Sequence, residues 1–162
     1  MNKYFLFLVL ILSSLKIYAQ EQDIQTVQLN KNSIYGNINT GYHGDEFGYG
    51  PGITYERQLV KFKRSYLYAQ ISWDYWFLWG VSANSFTLDA AYILGNKSAH
   101  LELDLGIDYS FVCNGGSFCN DNNQWKLLAN AAFRYQKPGK GLVLRAGVGT
   151  KALVFVSIGS SF

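Results

Sequence analysis

The sequence predicts an all-β fold, an eight-stranded antiparallel up-and-down transmembrane β-barrel, and three observations carry that expectation. Apolar and polar residues alternate with a period of two along most of the chain, and no stretch of useful length has helical periodicity. The alternating segments are about as long as the ~9–11 residues a tilted strand needs to cross a bilayer. Only 15% of the 162 residues are charged, against about 25% in an ordinary soluble domain. With 49% apolar and 17% aromatic residues the chain can build a core, which excludes disorder. It has no apolar run of about 20 residues, which excludes a helical membrane bundle.

Residues 1–19 read as a secretory signal. Lys3 supplies the positive start, Tyr4 to Leu12 is the apolar run, and Ser13, Ser14 and Lys16 weaken it before Ile17-Tyr18-Ala19 and Gln20. That run would make only about 14 Å of helix at ~1.5 Å per residue, less than half a bilayer, so it is too short for an anchor. No cysteine sits near the cleavage point, which argues against a lipid anchor. Cleavage removes two of the 14 basic residues (Lys3 and Lys16) and none of the 11 acids, taking the formal charge from +3 to +1. Nothing in that balance points to nucleic acid. Residues 20–32 form a short periplasmic segment, and 33–162 the barrel.

Strands are expected at 33–42, 47–59, 65–76, 84–94, 99–111, 124–136, 141–149 and 152–162. The clearest alternates Leu101, Leu103, Leu105, Ile107, Tyr109 and Phe111 with Glu102, Asp104, Gly106, Asp108 and Ser110. Side chains of a strand point to opposite faces in turn, so one face is apolar and the other carries three carboxylates. Leu67 to Tyr75 and Trp125 to Tyr135 repeat the pattern. Pro51 removes a ladder donor inside the second strand and predicts a bulge or unpaired position near one rim. Gly95-Asn96-Lys97-Ser98 and Lys137-Pro138-Gly139-Lys140 read as tight turns.

Alternation alone suits a soluble lipocalin-like barrel as well as a membrane one; the two differ in which face is inside. The shortage of charge favours the membrane. So do the aromatics near strand ends, Phe47, Tyr49, Trp73, Tyr75, Trp125, Phe133 and Tyr135, placed as an interfacial girdle would be. The polar face would then line a lumen only wide enough for side chains to fill. Buried charges must be paired. Folding the strands about their turns sets Glu102 opposite Arg134, Arg134 near Arg145, and Asp89 beside Asp104. A luminal belt of Asp89, Glu102, Asp104, Arg134 and Arg145 is therefore expected, either as a polar plug or as the lining of a gated ion path.

Both chain ends and the short turns 60–64, 95–98 and 137–140 are expected on the periplasmic side, with outer loops at 43–46, 77–83, 112–123 and 150–151. The periplasmic turns hold Lys61, Lys63, Arg64, Lys97, Lys137 and Lys140, which suits either anionic headgroups or ordinary turn chemistry. The outer loops hold Asp45, Glu46 and Asp121. Cys113 and Cys119, flanking Asn114-Gly115-Gly116-Ser117-Phe118 in an exported chain, predict a disulfide. Chain entropy makes it worth about 2 kcal/mol. A metal site would need a His or second Cys pair that is absent there. The loops, with Trp76-Phe77-Leu78-Trp79 and the cysteine loop foremost, are the surfaces free to meet a partner; the Trp-rich one equally suits the outer-leaflet interface.

Ser98, His100 and Glu102 share one face and supply nucleophile, base and acid. Neighbours two apart in a strand are about 6.5–7 Å apart, too far for a triad without a bend. No catalytic, cofactor or metal residue is expected, and no Gly-rich phosphate loop is present.

The last segment alternates Val154, Val156, Ile158 and Ser160 and ends on Phe162. With Gly52 to Leu59 and His100 to Gly106, it makes the chain resemble small eight-stranded outer-membrane β-barrels of the OmpA, OmpX and opacity-protein kind, in the form found in Gram-negative, Bacteroidetes-type bacteria. The resemblance covers 33–162. It implies residence in the cell outer membrane, outer-membrane lipids as neighbours, and a monomer. It also implies a C-terminal signal (Val154, Val156, Ile158, Phe162) read by the barrel-assembly machinery, and brings no defined activity. The expected role is structural or surface interaction with a charge-plugged lumen. A narrow ion or small-solute channel, a lipid A-modifying enzyme and a soluble carrier of apolar ligands stand as alternatives.

Overall fold

A computed structural model describes residues 29–43, 46–79, 81–95, 98–113, 124–137 and 139–162. The expected signal segment 1–19 and most of 20–32 lie outside these residues, as do Cys119 and the Cys113 side chain, so the expected disulfide does too. The eight strands are β1 (Asn32–His43), β2 (Glu46–Lys61), β3 (Ser65–Phe77), β4 (Ser82–Leu94), β5 (Ala99–Cys113), β6 (Gln124–Gln136), β7 (Leu142–Gly149) and β8 (Val154–Ser161). Each pairs antiparallel with the next, and β8 returns to β1 to close the barrel. Closure leaves no unpaired sheet edge, which an apolar surrounding demands.

The apolar face is outside. Leu127 is 85% exposed and Leu105 68%, whereas Glu56, Glu102 and Arg134 are fully buried. This ordering holds around the wall and is the reverse of a soluble barrel, so the lipocalin-like alternative is set aside. Ring pairs run around the loop end of this outer face: Tyr42 with Phe47, Tyr49 with Phe77, Phe86 with Phe111, and Tyr109 with Trp125 at 4.7 Å between centroids.

Pro51 pairs with Ile38 of β1, and the ladder to β3 skips it together with Gly50, which makes it the unpaired position expected in β2. Proline has no N–H to give that neighbour. A bulge also falls between Gln58 and Val60, and it turns both Leu59 and Val60 outward. Trp76 does not belong to the outer loop: it is fully buried in the lumen, with Nε1 donating to Ser85 Oγ at 3.3 Å. The expected 77–83 loop shrinks to the residues between Phe77 and Ser82, and Trp79 is its exposed aromatic, at 94%.

The segment before β1 is not wholly free of the barrel. Leu29 is buried among Tyr66, Tyr68, Ala91 and Ile93 at the end where β1 starts and β8 ends. Tyr68 Oη donates to the Asn30 carbonyl at 2.8 Å, and Asn30 Nδ2 donates to the Ser161 carbonyl at 2.9 Å. Tyr68→Phe should therefore lower the unfolding free energy by about 0.5–1.5 kcal/mol, measured by urea titration in lipid vesicles.

Two glycines make room for luminal acids. A Cβ at Gly52 would lie 1.8 Å from Asp74 Oδ1, and one at Gly106 would lie 2.3 Å from both Asp89 Cβ and the Leu88 carbonyl. Glycine lets the neighbouring strand's carboxylate occupy the space a side chain would take.

Candidate functional site

The lumen is lined by the polar parity of each strand: Asn37 and Asn39 from β1, Thr54 and Glu56 from β2, Gln70 and Asp74 from β3, Thr87 and Asp89 from β4. β5 adds Glu102, Asp104 and Asp108, β6 adds Arg134 and Gln136, and β7 adds Arg145. Two ion-paired clusters result.

The first is centred on the two arginines. Arg134 grips Glu56 with both terminal nitrogens, Nη1 donating to Oε2 at 2.8 Å and Nη2 to Oε1. Its Nη1 also reaches Glu102 Oε2 at 3.3 Å, and its Nε donates to Gln136 Oε1 at 2.8 Å. Arg145 Nη2 is shared between Glu102 Oε1 and Asp104 Oδ2, the latter at 3.2 Å. Gln70 Nε2 donates to Glu56 and Glu102 at 3.3 and 3.4 Å. Rings close over the cations: Tyr68 lies 5.4 Å from the Arg134 guanidinium and Tyr35 4.6 Å from that of Arg145. Planar guanidinium groups suit this work, because they fork onto carboxylates and stack on rings at once.

The second cluster lies toward the loop end. Lys151 Nζ meets Asp74 Oδ2 at 2.6 Å, Asp108 Oδ1 at 2.7 Å and Thr87 Oγ1 at 2.6 Å. Asn39 Nδ2 donates to Asp74 Oδ1 at 2.7 Å, and Thr87 Oγ1 to Asp108 Oδ1 at 2.9 Å. Lys151 leaves the 150–151 loop and turns inward, so that loop's one base serves the lumen.

The five residues expected to form a belt all line the lumen, yet their pairing differs from the expected one. Arg134 does face Arg145 across the β6–β7 ladder. Glu102, however, is registered with Ala132, and His100 is what stands opposite Arg134. Asp89 is registered with Gly106, and Asp104 with Ala91. Both offsets are two residues, so faces are kept while neighbours change. Ala99 and His100 pair with β6 before β5 pairs with β4, the stagger a closed barrel needs. Arg134 reaches Glu102 diagonally, whereas Asp89 joins no ion pair. Glu56, Asp74, Asp108 and Lys151 were not among the residues expected in the belt. Parity put Glu56 on the luminal face, but its partner lies across the lumen on a strand it does not pair with. His100 is buried and luminal, on the same face as Glu102. Val154, Val156, Ile158 and Phe162 all face outward.

A salt-bridged polar interior within an apolar wall defines a small eight-stranded transmembrane β-barrel of the outer-membrane type. Solved structures of that class superpose on it. Ail, the attachment invasion locus protein of Yersinia pestis, matches with a TM-score of 0.54 at 14% identity, over 83% of this chain and 100% of that one. Its complex with the heparin analogue sucrose octasulfate matches at 0.53 and 13%, over 82% and 97%. The N-terminal β-barrel domain of Pseudomonas aeruginosa OprF matches at 0.52 and 17%, over 83% and 100%. At such identities the likeness is one of fold. No family model matches the chain, and no curated protein does.

Proposed function

We propose that this chain is an integral protein of the cell outer membrane whose lumen is plugged by charge, with a structural or surface-interaction role and no catalytic step. The observation that carries the reading is Arg134 on β6, held by Glu56 of β2 and Glu102 of β5, with all three side chains fully buried. Ions crossing this lumen would have to break those pairs, and Leu29 fills the terminal end behind them. In this reading residues 1–19 are the export signal and 33–162 the barrel. The short turns face the periplasm, and Cys113 and Cys119 close the longest outer loop. The outward-facing Val154, Val156, Ile158 and Phe162 are what the assembly machinery reads, and outer-membrane lipids surround a monomer. Asp45, Glu46 and Asp121 in the outer loops suit a cationic partner better than a polyanion such as the heparin analogue carried by Ail.

Two measurements test it together. On a detergent gel the unboiled protein should migrate differently from the boiled one, and in planar bilayers it should carry no steady current. A steady single-channel current altered by Arg145→Ala would replace the plug with a narrow channel. A lipid A mass change abolished by His100→Ala would replace it with an enzyme.

A further inference from the structure

Between the two ion-paired clusters lies a polar cavity of about 50 Å³, lined by Asn37, Thr54, Asp89, Asp104 and Arg145 among others. Three oxygens on its wall have no protein donor: Oδ1 of Asp89, Oδ1 of Asp104 and Oδ1 of Asn37. All three side chains are at least nine-tenths buried, with Asp89 at 8% exposure.

The charges around the cavity do not balance. Among the described residues the lumen holds Glu56, Asp74, Asp89, Glu102, Asp104 and Asp108 against Arg134, Arg145 and Lys151. Counting Lys126 as well, half-buried in the rim recess it shares with Asp108, and leaving aside the buried imidazole of His100, carboxylates outnumber cations by two. Of the cations lining the cavity, Lys151 is fully engaged, while Arg145 keeps a buried Nε without an acceptor. Lys151 spends its three donors on Asp74, Asp108 and Thr87. Arg145 turns Nη2 to Glu102 and Asp104. Neither makes a hydrogen bond to Asp89.

A buried carboxylate without a partner must either take up a proton or gain a cation. We propose that the cavity is a binding site for a small monovalent cation of the sodium or potassium type, with Asp89, Asp104 and Asn37 supplying its protein oxygens. The volume admits a few water-sized particles. One carboxylate pair with an amide oxygen makes a weak, hard-oxygen site that leaves room for water ligands. Among the described residues no three His, Cys, Asp or Glu side chains converge to hold a metal ion, which sets this site apart from a divalent or transition-metal cage.

The test is thermal unfolding of the purified barrel in detergent, at fixed pH and equal ionic strength, in sodium, potassium or N-methyl-D-glucamine chloride. The last cation is too large for the cavity, while all three screen the outer surface alike. Sodium or potassium should raise the midpoint by about 3–6 °C over N-methyl-D-glucamine, the shift that roughly tenfold saturation gives a domain of this size. Asp89→Asn should remove the difference. Equal midpoints in all three salts would overturn the proposal. So would a cation effect that survives in Asp89→Asn, or a midpoint that follows pH and ignores the cation. Should Asp89→Asn fail to fold, sodium NMR on the unaltered protein decides. Line broadening relieved by potassium supports the site, and an unbroadened line overturns it.

Discussion

Arg134→Leu should cost the barrel about 3–5 kcal/mol, the loss expected when one partner of a buried pair is removed and the other stays charged. Its guanidinium is shared by Glu56 and Glu102, both fully buried. Glu102 keeps Arg145, but among the described residues Glu56 is left with only Gln70 and Tyr35 as side-chain partners, at 3.3 and 3.4 Å. Urea unfolding in lipid vesicles, followed by tryptophan fluorescence, measures the loss. The double variant Glu56→Leu/Arg134→Leu should recover much of it, because replacing a buried pair by apolar groups is often close to neutral. A single-variant loss below about 1 kcal/mol would mean that the lumen is wet enough to solvate Glu56, and would undercut the plug.

Gly106→Val should be at least as severe, at about 4 kcal/mol or more, or should block folding altogether. The first added carbon would sit 2.3 Å from Asp89 Cβ and from the Leu88 carbonyl oxygen. Neither is the tip of a flexible chain, so β4 itself would have to move. The fraction of heat-modifiable protein recovered after refolding is the readout. Gly36→Ala serves as the control, since a Cβ there meets nothing closer than the Gly52 carbonyl oxygen at 3.9 Å. If both variants refold equally well, the close approach of β4 and β5 is not what holds Asp89 in the lumen.

Much of the fold was legible because strand periodicity is local. Glu102, Asp104 and Asp108 share a face whatever the strand pairs with, and that face did become the lumen. Arg134 was also placed near Arg145, and the β6–β7 ladder pairs them. The longer 112–123 connection and the 95–98 turn hide their pairing register, and the Glu102–Arg134 and Asp89–Asp104 pairings each slipped by two. Lys151 read as a loop residue because the sequence does not say that its long stem folds back over Asp74 and Asp108. Trp76 read as loop because a run of aromatics looks alike on either side of a rim.

The sequence by itself determined the number of strands, their antiparallel succession, and which residues share a face, since each follows from period two and turn chemistry within a few residues. Only the tertiary structure decided that the apolar face lies outside and which charges meet. Arg134 and Glu56 stand 78 positions apart on strands that share no ladder. Their contact exists because closing eight strands with a stagger brings opposite walls within one side chain's reach, and that geometry is set by the whole ring at once.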